Sequence, residues 1–426
     1  MSHSWSLDDW LTHMESIHHQ PIALGLERVL EVRQALGGSQ PFVVVAVAGT
    51  NGKGSTCAML DCILRAAGYR VGVYASPHLL RYNERVRVAG QAVDDAALCA
   101  AFAKVEAARG NTPLTYFEFG TLAAWLVFEQ ACVDVAILEV GMGGRLDAVN
   151  AFNADCGIVT SVDLDHQAFL GNDREQIGYE KAGIFRTGKP AIVSDPAPPR
   201  SVVEYALKIG AQLLVSGQDF GFTGDRSQWH YWNRKGRRPA MAYPALRGAN
   251  QLLNASGALA ALDCLKERLP VSMQDIRLGL MLVELPGRFQ VLPGRPAIVL
   301  DVAHNPHAAA VLADNLSNMG FFPETYAVLG MLGDKDVDGV VRAVQGRVDH
   351  WLLTDLDGPR AASAAQLAQA LERTGAGGDV SLFASAEAAL AAAKDRAGES
   401  DRIVVFGSFL TVAGAMRAEG LVPHLQ

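Results

Sequence analysis

The segment Val43–Leu60, VVVAVAGTNGKGSTCAML, places a lysine and three hydroxyls in a glycine-rich stretch behind an apolar run. Such residues suit phosphate. A Walker-type loop reads G-x-x-x-x-G-K-[ST]. Gly52 and Lys53 obey it, but Val47 stands where the first glycine belongs and Gly54 follows the lysine. The hydroxyl is displaced to Ser55, with Thr56 beside it. The order strand, glycine loop, helix is still the one in which backbone N–H groups and a helix N-terminus converge on an anion. Gly49, Thr50, Asn51, Gly52, Lys53, Gly54, Ser55 and Thr56 are therefore expected to hold ATP phosphates, with Lys53 on the terminal phosphates and Ser55 on magnesium. The competing reading is a tight structural turn that happens to contain lysine, and the flanking elements argue against it.

Other polar residues recur where apolar runs end. AILEVGMGGRLDAVN carries Glu139, a candidate magnesium ligand or a solvated rim residue, followed by Gly141, Gly143, Gly144 and Arg145. TSVDLDHQAFL carries Asp163, Asp165 and His166. YASPHLLRYNERVRV carries Ser76, Pro77, His78 and Arg81, plainly read as a loop into a charged β-segment. TPLTYFEFGTLAA offers Thr115 and Phe117, or simply a helix start with Phe117 and Phe119 in the core. RGANQLLNASGALAAL opens a helix with the amides Asn250, Gln251 and Asn254, which can read an adenine edge, although capping alone explains Asn250. Arg288 in LPGRFQ is suited to clamp ATP phosphates. LDVAHNPHA holds Asp301, His304, Asn305 and His307 without the spacing of a zinc helix. Lys181 reads, on its own, as a surface helix lysine.

These residues need a frame. The chain has 426 residues, enough for two or three domains at ~100–200 residues each. After the loop, Cys57, Leu60, Leu64 and Ala67 keep helical spacing up to Gly68. YRVGVYAS, VDVAILEVG, DCGIVTSVD and KPAIVSD then read as buried strands alternating with helices, the pattern of a mostly parallel sheet. ELPGRFQVLPGRP breaks the texture, and AIVLDVAHNPH, YAVLGMLGDKD, HWLLTDLDGPR and RIVVFGSFLTVAGAM resume it. Gly217–Pro244 reads as a solvated β-hairpin insert, and its aromatic and cationic residues also raise RNA contact as a weaker reading. The net charge of −8 opposes nucleic-acid binding. No run reaches the ~18 apolar residues of a membrane span. The first residues lack a signal-peptide pattern, and six cysteines without a CxxC pair suit reduced thiols, so a cytoplasmic protein is expected.

The spellings GTNGKGS, EVGMGGRLDAVN, EKAGIF and DVAHNPH together resemble the folylpolyglutamate synthase family, relatives of the Mur peptide ligases, with Val149 where that family usually has Thr. The resemblance implies an α/β fold: a P-loop-containing Mur-ligase-like ATPase domain over 1–285, a linker over 286–296, and a smaller Rossmann-like domain over 297–426. It implies His166 as a second magnesium ligand beside Glu139 and Ser55, and Lys181 in carbamylated (N-carboxylated) form. Lys53, Glu139, His166 and Lys181 form the catalytic set. Ser76, Pro77, His78 and Arg81 would line the folate side, Thr115 and Phe117 would touch the pterin, and Asp147 would pair with the pterin edge. Asp301, His304 and His307 would lie over nucleotide and glutamate, with Ser408 in FGSFLTVA a further glutamate candidate.

The implied reaction is ATP-dependent addition of L-glutamate to 7,8-dihydropteroate and to tetrahydrofolates through an acyl phosphate, with two Mg2+ ions, the domains closing to exclude water. The implied enzyme is a cytoplasmic monomer acting on small molecules, without nucleic-acid or membrane partners. Alternatives are folylpolyglutamate synthesis alone, a P-loop regulatory NTPase or kinase, and a non-catalytic folate binder. A cell-wall Mur ligase would be expected to carry a further domain, and only ~40 residues precede the loop.

Overall fold

The computed structural model describes residues 5–20, 22–224, 228–248 and 250–421. The chain divides into two compact units, one running to Ala245 and including Leu252–Val283, the other comprising Leu246–Gln251 and the residues from Glu284 onward.

The first unit is built on an eight-stranded sheet. Its strands are β1 (Val43–Ala48), β2 (Val71–Tyr74), β3 (Val86–Val88), β4 (Gln91–Ala92), β5 (Val135–Glu139), β6 (Cys156–Val159), β7 (Pro190–Val193) and β8 (Gln212–Val215), in the order β4-β3-β2-β5-β1-β6-β7-β8. The β2, β5, β1, β6, β7 and β8 strands are parallel, and β3 and β4 add an antiparallel edge. The β1 and β5 strands are buried along their whole length, as expected of strands covered on both faces by helices. On one face Trp10, Phe102 and Phe119 pack with ring centroids 5.8–6.5 Å apart. On the other, Gly279 of the helix Met273–Leu282 lies against the backbone of Ile63 in the helix Lys53–Ala66. Register matters for function: Val47 pairs with Glu139, so the loop after β1 and the acid ending β5 leave the sheet side by side.

The Gly217–Pro244 segment forms a three-stranded antiparallel sheet of β9 (Phe220–Gly224), β10 (Trp229–Asn233) and β11 (Gly236–Met241). Trp229 and Tyr231 are buried, Arg234 pairs with Asp219, and Asp263 receives Arg238, Tyr231 and Asn233. This is the β-insert reading.

The second unit has strands β12 (Gln290–Leu292), β13 (Ala297–Leu300), β14 (Thr325–Leu329), β15 (His350–Thr354), β16 (Asp379–Phe383) and β17 (Arg402–Phe406) in the order β12-β13-β17-β14-β15-β16. All are parallel neighbours except the antiparallel pair β12–β13. The edge strand β16, DVSLF, is largely exposed, with Val380 and Leu382 on its surface. Among the described residues, no helix is long and apolar enough to cross a membrane.

Candidate active site

Every parallel strand of the first unit ends on one rim, where ligands of open α/β sheets bind. The loop after β1 is held there by the turn after β6. Thr50 N–H donates to Ser161 O at 2.7 Å, Asn51 N–H donates to Ser161 Oγ at 3.1 Å, and Thr160 Oγ1 donates to Asn51 O at 2.6 Å. Thr50 Oγ1 donates to Asp163 O at 3.0 Å. Gly52 begins the helix Lys53–Ala66 at φ 89°, and a Cβ there would stand 2.5 Å from Asn254 Oδ1. The glycine is thus required twice, by its backbone angle and by the amide packed on it. Lys53 Nζ donates to Gly49 O at 3.0 Å and Thr50 O at 3.3 Å, so the ammonium lies over its own loop. Ser55 is buried at the first turn, and Thr56 is fully enclosed with its hydroxyl unpartnered.

Glu139 is buried at the end of β5 and accepts the Ser76 N–H at 3.3 Å, which joins the loops after β5 and β2. His166 stands at φ 51° with its N–H on Asp165 Oδ1 at 2.8 Å.

Lys181 is not a surface residue. It is 4 % exposed on the helix Arg174–Ala182. The reason is a close approach: a Cβ on Gly144 would stand 2.8 Å from Glu180 O and 2.9 Å from Lys181 O. The loop after β5 therefore lies flat on the end of that helix, with Arg145 paired to Glu180 at 2.9 Å. Burial, with Lys53 nearby, pushes the Lys181 pKa down from 10.5 to about 7, against the pull of Asp165 and Asp147. Asp147 is equally buried. It accepts N–H groups of Met142 at 2.9 Å and Val149 at 3.0 Å, yet burial raises its pKa to about 7. Lys53, Asp147 and Asp165 thus all act on Lys181, and Lys53 acts on Asp147 as well.

The folate-side candidates divide. Phe117 rests on Gly141, whose Cβ would meet its ring at 2.7 Å, and its ring centroid is 5.6 Å from that of Tyr74. Phe119 is core, as the plain reading holds. Thr115 caps the helix Tyr116–Gln130 in a reciprocal pair with Glu118, at 3.3 and 2.7 Å. Arg81 is exposed and pairs with Asp95 at 3.0 Å. His78 is held neutral, its pKa lowered to about 4 by burial and by Arg85, whose Nε donates to His78 Nδ1 at 2.9 Å. Pro77 follows Ser76 through a cis peptide bond. Arg85, four residues past Arg81, is the cation that turns inward, and nothing in the spacing of the turn Tyr82–Arg85 separates the two.

In the second unit Asp301, at the end of β13, accepts N–H groups of Phe289 at 2.9 Å and Ala303 at 2.8 Å, and burial raises its pKa despite Arg288. Arg288 lies over the Phe409 ring, 5.0 Å from its centroid. His304 Nδ1 meets Val302 O at 2.8 Å, and Asn305 caps the helix Pro306–Asn318, which carries His307 in its first turn. Ser408 caps the helix Phe409–Ala418 through Thr411 N–H at 3.0 Å. Gly407 N–H donates to Ala303 O at 3.0 Å, tying the loops after β17 and β13 together. Asn250 lies in a turn, and Gln251 opens the helix Gln251–Leu265.

A glycine–lysine loop lies beside a buried acid and lysine on one unit, and the other unit carries a polar cluster at its strand ends. The Mur ligase middle domain matches residues 47–262, and the Mur ligase glutamate ligase domain matches residues 287–409. A dihydrofolate synthase/folylpolyglutamate synthase of Escherichia coli is 47% identical over 412 residues, covering 96% of this chain and 94% of that protein. The chain belongs to the dihydrofolate synthase/folylpolyglutamate synthase family. It is an ATP-dependent ligase that forms amide bonds, with the dihydrofolate synthase and folylpolyglutamate synthase activities of that family. The fold agrees throughout. E. coli FolC in complex with DHPP and ADP superposes with a TM-score of 0.93 at 45% identity, covering 98% of both chains. The bifunctional enzyme of Yersinia pestis complexed with AMPPNP and Mn gives 0.91 at 46%, covering 98% of this chain and 99% of that one. The ligase therefore has the α/β architecture that the sequence resemblance implies.

Proposed function

We propose that the ligase phosphorylates the free carboxylate of its pteridine substrate with ATP and then exchanges the phosphate for the amine of L-glutamate. The acceptors are 7,8-dihydropteroate and tetrahydrofolates, the latter at the γ-carboxylate. In the first step a carboxylate oxygen attacks the γ-phosphorus, and ADP leaves. In the second the glutamate nitrogen attacks the acyl carbon, the C–O bond breaks, phosphate leaves and the amine gives up its proton. Loop N–H groups and Lys53 neutralise charge on the transferring phosphoryl group, with Arg288 assigned the same task. Asn254, packed on Gly52, fixes the loop, and Asn250 and Gln251 are assigned to adenine. Phe117 and Asp147 orient the pterin.

The observation that carries this reading is that the loop Gly49–Ser55 leaves the sheet beside Glu139, with the buried Asp147 and Lys181 close to Lys53. Ser55, Glu139 and His166 offer oxygen and nitrogen donors on one rim, and among the described residues no group of three or more His, Cys, Asp or Glu could hold a metal alone. That donor set fits Mg2+, which pairs one or two protein ligands with substrate phosphates. When bound, two such ions supply charge neutralisation at the phosphates. Lys181, neutral enough to add CO2 and release a proton, would become a carbamate facing them. Asp301, His304, His307 and Ser408 are assigned to the nucleotide and incoming glutamate. We take residues 1–285 as the ATP and folate part and 297–426 as the glutamate part, joined by 286–296, which give β12 to the second sheet, in a monomer whose free cysteines suit the reducing cytoplasm.

The test is ADP release with ATP and magnesium in four mixtures: no addition, glutamate alone, dihydropteroate plus glutamate, and tetrahydrofolate plus glutamate. Mass spectrometry follows the gain of one glutamyl unit. ADP release indifferent to glutamate and to the pteridine would reject the reading. Turnover with tetrahydrofolate alone would remove dihydropteroate from it.

A further inference from the structure

Arg85 carries a half-buried positive charge that no carboxylate pairs with among the described residues. Its guanidinium lies over the rings of Tyr82 and Tyr116, 5.3 and 5.4 Å from their centroids, and Nε donates to His78. That imidazole is uncharged and offers no counter-charge. Among the described residues no carboxylate forms an ion pair with Arg85, whereas the neighbouring Arg81 and Arg87 have Asp95 and Asp61. Stacking on two aromatic faces leaves the guanidinium edges to donate, and those edges match a carboxylate in two-pronged geometry.

Position narrows the ligand. Arg85 O accepts the Ala75 N–H at 2.9 Å, so the arginine stands directly beside the loop whose Ser76 N–H reaches Glu139. From β5 to β3 is two strand spacings, about 10 Å. An arginine side chain directed from one toward the other covers much of that gap. A folate bearing a glutamyl residue has two carboxylates separated by four C–C bonds, roughly 5 Å. The one that reacts belongs with the phosphate loop, and the α-carboxylate must lie within a few ångströms of it. Dihydropteroate has only the reacting carboxylate. The two substrates thus differ in one anionic group, and Arg85 is a half-buried cation beside that loop, with no ion pair among the described residues.

We infer that Arg85 is the receptor for the non-reacting α-carboxylate of the folate substrate, and so sets the balance between folate elongation and dihydrofolate synthesis. This rests on the proposed use of both acceptors. The test compares kcat/KM for tetrahydrofolate and dihydropteroate in the wild type, Arg85→Gln and Arg85→Lys, together with tetrahydropteroyl-4-aminobutyrate, which keeps the reacting carboxylate and lacks the α-carboxylate. Loss of a charged hydrogen-bonded pair predicts that Arg85→Gln lowers the tetrahydrofolate-to-dihydropteroate ratio about 10–100-fold, chiefly through KM. Arg85→Lys should recover part of it. The 4-aminobutyrate analogue should be a poor substrate of the wild type, and Arg85→Gln should cost it no more than it costs dihydropteroate. An unchanged ratio, from equal losses or from none, overturns the inference, as does an analogue penalised like tetrahydrofolate. If Arg85→Gln does not fold, the Arg85→Lys ratio and the wild-type analogue comparison decide. A wild type inert toward tetrahydrofolate would overturn the bifunctional reading itself, a distinct result.

Discussion

Replacing Lys181 with Met separates burial from charge. A lysine whose pKa falls from 10.5 to about 7 binds fewer protons folded than unfolded. Its contribution to stability is therefore fully present above pH 10.5, falls as pH drops and is lost once pH passes below about 7. The slope is ~1.4 kcal/mol per pH unit, and the full penalty for charging the buried amine is about 5 kcal/mol. Methionine fills a similar volume and carries no charge. Lys181→Met should thus exceed the wild type in stability by roughly 5 kcal/mol at pH 6 and about 3 kcal/mol at pH 8.5, converging near pH 10.5. Asp147 titrates near the same site with the opposite sign, its stabilising share being lost as pH rises through about 7. It is present in both proteins and largely cancels in the difference. Urea unfolding in CO2-free buffers from pH 6 to 10 measures this directly. A stability difference independent of pH would mean that Lys181 keeps its proton in the fold, and the argument from burial would fail. The same shift makes the amine about 90% neutral at pH 8, against ~0.3% for an ordinary lysine. Bicarbonate should accordingly stabilise and activate the wild type alone, with a mass gain of one CO2 on the peptide containing Lys181.

Three further outcomes are expected. Lys53→Met should lower kcat by about 10²–10³-fold while leaving the melting temperature nearly unchanged, because Nζ bonds only loop carbonyls; a large loss of stability would assign the lysine to the fold. Gly52→Ala, strained at φ 89° and meeting Asn254 Oδ1 at 2.5 Å, should weaken ATP binding at least tenfold, and adding Asn254→Ala should restore part of it if contact rather than backbone angle dominates; calorimetric titration of ADP reads both. Ser408→Ala should cost ~1 kcal/mol by removing the cap on Thr411, whereas Ser408→Asp, which retains a capping oxygen, should be more stable than Ser408→Ala. If the alanine variant also raises KM for glutamate while the melting curve barely moves, the hydroxyl serves the substrate more than the helix.

What the sequence by itself determined is local. Apolar β-branched runs closed by glycine and polar residues place β1, β5 and β6, and the loop Gly49–Ser55 follows from strand, glycines and helix start within a dozen residues. Helical periodicity and caps such as those of Asn305 and Thr115 are likewise written in neighbouring positions. Tertiary structure decided burial and charge proximity, because those depend on residues far apart along the chain. Lys181 has the spacing of a surface lysine, and only the glycine that lets residue 144 lie on its helix turns it into a buried amine beside Lys53 and Asp147. Arg81 and Arg85 are both arginines of one charged segment. The turn between them sends the first to Asp95 at the surface and the second under two tyrosines, a distinction set by the packing of the helix Tyr116–Gln130 and invisible to spacing.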